Sequence, residues 1–215
     1  MFRVVALSGT DRRGWTVFID GVETRVGTVK IVGPKGELDY GKRPEGYDAW
    51  VFREEGGGGS VTLLFTHDLN GNLLVGLIRE KRANMGNAPV WCIMGGFVKH
   101  DESHEQAQQR EAAQEGDINT SAAQILPGVH TNPNRAFFVA DVEQGEGVHA
   151  YALQIPLEWL EAEEESDFLR FKSDVLLSGT KGTSDVRFMP WKQAVHCSAD
   201  SLARSAIAQL LTEEL

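Results

Sequence analysis

Cysteine is nearly absent from this 215-residue chain, which holds only Cys92 and Cys197. Two thiols are too few for a disulfide framework or a zinc site, so a reducing, cytoplasmic setting is expected. No apolar stretch approaches the roughly 18 uninterrupted residues that a membrane-crossing helix needs, and Met1 to Gly9 lacks a basic region followed by a long apolar run. Neither secretion nor a membrane partner is expected. Positive charge is also scarce: 21 basic against 31 acidic residues give a net charge of −10. Such a surface repels a polyphosphate backbone, which disfavours nucleic acid as a partner. An anionic substrate would then need a local attractor, and a bound divalent cation is the obvious one.

What is present describes a globular domain. Hydrophobic residues make up 41% and charged residues 24% of the chain, close to soluble averages, and a chain of this length buries roughly 70% of its unfolded surface. Short runs rich in valine, isoleucine and aromatics at Phe2–Leu7, Trp15–Ile19 and Val26–Val32 read as antiparallel strands. Asp20-Gly21 supplies a hairpin turn, and Gly33-Pro34-Lys35-Gly36 ends the third run. The four glycines Gly56–Gly59 form a break, so residues 1–55 are expected to be one antiparallel unit and residues 60–215 another.

In the second unit, Val61–Phe65 and Leu73–Arg79 read as strands around the turn Asn70-Gly71-Asn72, with further strands at Val90–Met94, Ala136–Val142 and Val148–Ile155. Helical periodicity points to Ser103–Glu115, Leu157–Glu165 and Ser201–Leu211, and Ser173–Ser184 reads as a loop. The run Glu158, Glu161, Glu163, Glu164, Glu165, Asp167 is read as a solvated acidic face. Together the elements give an α/β fold.

The chemistry concentrates between Gly95 and Ile118. Ser103 with Gln106 three residues on has capping-box spacing and predicts a helix start. Glu111 and Glu115, four apart, then share a face, where two carboxylates repel each other unless a cation lies between them. Magnesium is commonly held by one or two carboxylates plus substrate phosphates, and Gly95-Gly96 lets the main chain approach closely enough to add an oxygen. Arg110 points elsewhere, towards Glu102 in the preceding loop. The plain alternative is an amphipathic helix with an acidic solvent face.

The segment Gly96–Ile118 resembles the Nudix box: Gly96, Glu102, Arg110, Glu111, Ala112, Glu115 and Ile118 fall at its spacing, while Gln114 replaces one glutamate of its Glu-Glu pair and Asp117 its glycine. Aspartate tolerates the left-handed conformation often needed there. The Gln114 exchange keeps an oxygen but loses a charge. The resemblance implies an α/β/α sandwich with a mixed sheet, and hydrolysis of a nucleoside diphosphate linked to another moiety, of ADP-ribose or nucleotide-sugar type, by metal-activated water. It implies Mg2+ (or Mn2+) on Glu111, Glu115 and a main-chain oxygen of Gly95 or Gly96, with Glu102 and Arg110 holding the loop. Architecturally the chain loosely resembles the ADP-ribose pyrophosphatase branch, whose first sheet commonly forms a homodimer. Many of those enzymes take a base from a glutamate before the last strand, a stretch with only Asp185 here. Arg79 is a candidate phosphate contact, and Trp91 and Phe97 are candidate base-stacking residues. The alternative function is a catalytically silent Nudix-fold module that binds a nucleotide or acts in regulation. Cys92 reads as a buried small hydrophobe.

Overall fold

The computed structural model describes residues 3–7, 15–19, 21–26, 28–33, 36–42, 48–54, 58–81, 88–118, 124–125, 147–164, 166–177 and 185–214. The first six strands are β1 (Arg3–Leu7), β2 (Trp15–Ile19), β3 (Val22–Val26), β4 (Thr28–Gly33), β5 (Gly36–Lys42) and β6 (Asp48–Glu54). They form an antiparallel sheet in the order β1-β4-β5-β6 and a separate β2-β3 hairpin. Gly21 takes the φ of 83° that a tight hairpin requires. The expected run Val26–Val32 takes in the last residue of β3 and most of β4, and β5 and β6 were not anticipated from the sequence.

From Gly58 onwards a mixed nine-stranded sheet is assembled from β7 (Gly58–His67), β8 (Leu73–Lys81), β9 (Pro89–Cys92), β10 (Met94–Phe97), β11 (Gln124–Ile125), β12 (Gly147–Gln154), β13 (Leu160–Ala162), β14 (Leu169–Phe171) and β15 (Arg187–Pro190). Its path runs β11-β12-β7-β8-β15-β14-β13, with β10 added to β7 and β9 to β8. Among the described strands, the β12–β7 pairing is the parallel one. The helices are α1 (His104–Glu115), α2 (Trp191–Cys197) and α3 (Ser201–Glu214).

Alternation along β7 sends Val61, Leu63 and Phe65 to one face, where they pack with Ile93, Met189, Ala203, Ala206, Ile207 and Leu210 beneath α2 and α3. Leu64, on the opposite face, packs with Met94, Ala112, Ile118, Leu153 and Phe188 beneath α1. The architecture is therefore an α/β sandwich with helices on both faces of the sheet.

The helix expected at Leu157–Glu165 is a correction. Only Leu157–Trp159 makes a single 3-10 turn, and the chain then pairs as β13 with β14. Leu160 opposite Phe171 buries apolar surface, and Glu161 meets Arg170 across the pair at 3.1 Å, so cross-strand contacts override the helical pattern of the acidic run. Helix α2 was not anticipated, being only seven residues long and following Pro190. The expected strand at Ala136–Val142, the loop residues 178–184 and Arg82 lie outside the described residues. Among the described residues no helix is long and apolar enough to cross a membrane.

Candidate active site

Strand β10 lies antiparallel to β7, with Gly95 opposite Val61 and Gly96 opposite Ser60. Both glycines are demanded by close approach. A Cβ at Gly95 would stand 2.3 Å from the Ser60 carbonyl oxygen, and one at Gly96 would stand 2.2 Å from Glu111 Oε1. The chain then turns through Asp101, at φ 63°, into α1. The capping box is formed as the spacing predicts. Ser103 Oγ accepts from the Gln106 amide at 3.1 Å, and Gln106 Oε1 accepts from the Ser103 amide at 2.8 Å. At the other end Asp117 adopts φ 55°, the left-handed conformation anticipated for it.

Arg110 organises the loop. Its Nε donates to Glu102 Oε1 at 2.8 Å and its Nη2 to Glu102 Oε2 at 2.9 Å, a two-pronged pair, while Nη2 also donates to the Phe97 carbonyl at 2.9 Å. Hydrogen bonding to Arg110 outweighs burial and holds the Glu102 carboxyl down at about 2. The Arg110 guanidinium is correspondingly raised, first by its bond to Glu102. Arg110 does not confine itself to the loop: Nη1 also bonds Glu111 Oε1, and it reaches Gln114 Oε1 at 3.3 Å. Gln114 thus keeps an acceptor role beside the guanidinium.

Glu111 and Glu115 both turn to the glycine strand. Glu111 is buried with its carboxylate against Gly96, and Glu115 Oε2 accepts from the Gly95 amide at 3.0 Å. Five expected site residues, Gly95, Glu102, Arg110, Glu111 and Glu115, are brought together. Two carboxylates against the main chain of two glycines offer hard oxygen donors, as a magnesium-type cation prefers. Among the described residues no group of three or more His, Cys, Asp or Glu side chains forms a ready-made metal cage, so substrate and water oxygens would have to complete the coordination.

A cavity of about 510 Å³ opens next to the glycines, lined by Gly95, Gly96 and Phe97 and by the apolar Val61, Ile93 and Leu202. Phe97 is 51% exposed at this site. Asp200, not singled out from the sequence, also lines the cavity. Its Oδ2 accepts from the Ile93 amide at 3.1 Å and its Oδ1 from the Leu202 amide at 2.9 Å, tying the start of α3 to the strand before the glycines. An aspartate just ahead of the periodic run from Leu202 was the available signal.

Arg79 and Trp91 stand in a second cavity of about 650 Å³, with Glu163, Phe168, Asp185 and Arg187. The Arg79 guanidinium lies 5.7 Å from the Trp91 ring centre, and Trp91 meets Phe168 edge-on at 5.6 Å. Glu163 accepts from Ser166 at 2.6 Å and from Arg187 at 2.8 Å, which lowers its carboxyl, the serine bond contributing most. No box residue lines this second cavity. Along β9, Val90 and Cys92 line the first cavity and Trp91 the second. Cys92 is 1% exposed, as expected of a small core residue, and its thiol lies 3.6 Å from Glu80.

Residues 58–210 match the family described as NUDIX domain. No curated protein matches the chain in sequence. Among solved structures it is similar to a nudix hydrolase, RenU, from M. smegmatis (16% identity, 81% of this chain and 94% of that one, TM-score 0.49). It is also similar to a C. elegans Ap4A hydrolase in a binary complex (12% identity, 73% and 97%, TM-score 0.47). A third match is the NUDIX domain of Shewanella oneidensis NrtR complexed with ADP ribose (20% identity, 74% and 88%, TM-score 0.44).

Proposed function

The chain belongs to the NUDIX domain family and is a hydrolase acting on phosphoric anhydride bonds; from that premise we propose that its substrate is a nucleoside diphosphate linked to another group, of the ADP-ribose or nucleotide-sugar type. The observation that carries the reading is the convergence of Glu111 and Glu115 on Gly96 and Gly95 at the edge of a largely apolar cavity. Glu111, Glu115 and a carbonyl oxygen of Gly95 or Gly96 would hold Mg2+, with Mn2+ able to replace it. Such a cation, when bound, neutralises charge on the pyrophosphate and lowers the pKa of water.

The chain's own residues do the positioning. Arg110 clamps Glu102 and steadies Glu111, so the loop Phe97–Glu102 and the helix move as one piece. The Gly95 amide aims Glu115. Phe97 offers a ring on which a base can stack, and Val61, Ile93 and Leu202 give the nucleoside an apolar wall. Arg79 on Trp91 is assigned to the group beyond the diphosphate, reached past β9; Arg79→Ala should then raise KM and leave kcat within about twofold, since it removes binding common to ground and transition states. Residues 1–55 are proposed to dimerise the enzyme, which light scattering of the full chain against residues 56–215 tests.

Incubation with ADP-ribose, nucleotide sugars and dinucleoside polyphosphates in Mg2+ or Mn2+ tests the activity. Gln114 in place of a box glutamate, and a stretch before the last strand whose one carboxylate is Asp185, favour a second reading, a silent nucleotide-binding or regulatory module. That reading requires thermal stabilisation by ADP-ribose with no product and no dependence on metal.

A further inference from the structure

The underside of α1 is built in rows. Along β7 the residues facing α1 are Ser60, Thr62 and Leu64, and parallel β12 sets His149, Tyr151 and Leu153 beside them in that order. At the first row Ser60 Oγ donates to the His104 carbonyl at 2.7 Å, and His104 stacks on His149 with ring centres 3.6 Å apart. Leu64 and Leu153 of the third row belong to the same buried apolar cluster as Ala112. Helix α1 therefore runs along β7 in the same direction, and Gln108, one helical turn from both His104 and Ala112, falls over the middle row at Thr62.

This middle row is polar and dry-walled. Gln108 is 0% and Thr62 1% exposed, and neither Oε1 nor Nε2 of Gln108 nor Oγ1 of Thr62 has a hydrogen-bond partner. Three orphaned polar atoms in one buried place are rare, because each forfeits the bonds it makes with water in the unfolded chain. An internal water, with two donors and two acceptors, satisfies such a set when two to four polar partners surround it.

We propose that Gln108 and Thr62 bind one internal water between α1 and the sheet. The water keys the helix that carries Glu111 and Glu115 to β7 by directed bonds, where a leucine at 108 would have left it free to slide over an apolar seam.

A crystal structure of the full chain at about 1.8 Å, together with water–amide nuclear Overhauser effects from the Gln108 side chain, tests the site without any substitution. The expected result is density within hydrogen-bonding distance of both Gln108 and Thr62, with the matching water contact in solution. A direct Gln108–Thr62 hydrogen bond with no water between them overturns the proposal. In a thermal-melting cycle, Gln108→Leu and Thr62→Val should each lower the melting temperature by about 2–10 °C, and the double variant by clearly less than the sum. Additive losses would overturn it as well.

Discussion

The two helical faces of the large sheet are held by different physics. Helix α3 buries Ala203, Ala206, Ile207 and Leu210, all apolar, against the sheet. Helix α1 buries Ala107, Gln108, Glu111 and Ala112, half of them polar. Fully burying an aliphatic side chain contributes about 1.5–3 kcal/mol without fixing direction, so this face of α3 supplies stability, and the helix is aimed only at its start, by Asp200 on the Ile93 and Leu202 amides. Helix α1 gains little in that way and is fixed by aimed bonds: the capping box, Ser60 to His104, Arg110 to Glu102 and Phe97, and Gly95 to Glu115. Helix α3 contributes mainly stability, while α1 uses its buried polar side chains to hold carboxylates in place.

Substitutions on the two faces should therefore separate rate from stability. The largest effect on rate is expected from Gly96→Ala. Its Cβ would fall 2.2 Å from Glu111 Oε1 and push the carboxylate aside, so kcat should drop by about 100-fold or more, the scale expected of an ångström misplacement. Circular dichroism should show the fold retained. Ile207→Ala on the other face should do the reverse. A core truncation of this kind costs about 2–5 kcal/mol, which lowers the melting temperature by about 4–20 °C in a chain of this size, while kcat of the folded fraction stays within about twofold.

Smaller effects sharpen the contrast within α1. Arg110→Lys keeps the charge but loses the forked grip on Glu102 and the bond to the Phe97 carbonyl. A fall in kcat of about tenfold is expected with a melting shift of only a few degrees, read by steady-state kinetics and calorimetry side by side. Glu102→Gln gives the smallest effect and a pH signature. The folded-state carboxyl is lowered from 4.5 to about 2, so its stabilisation is fully present above 4.5 and is lost as pH falls towards 2. Urea unfolding at pH 6, 4 and 3 should show the wild-type advantage over Glu102→Gln shrinking steadily across that range.

The same contrast explains what could be read in advance. The chemistry of α1 needs particular residues at fixed offsets in one contiguous segment, so Ser103, Arg110, Glu111, Glu115 and the left-handed Asp117 were legible without a structure. Helix α3 was legible from the spacing of Ala203, Ala206, Ile207 and Leu210. Strands β13 and β14 were not, because their stability comes from Leu160 meeting Phe171 and Glu161 meeting Arg170, pairings remote from any local pattern. The same remoteness hid the role of Asp200, which bonds Ile93 from 107 residues away. Gln108 was not singled out in the sequence, and only the packing beneath α1 shows that it is buried.

The most direct test of the account is the turnover of ADP-ribose and nucleotide sugars by the wild-type protein and by Glu115→Gln, with Mg2+ present and after chelation, alongside each protein's melting temperature. The account predicts metal-dependent cleavage within the diphosphate by the wild type, and loss of that cleavage in Glu115→Gln with the melting temperature little changed. Undiminished cleavage by Glu115→Gln, or no cleavage of any diphosphate by a well-folded wild type, would contradict it.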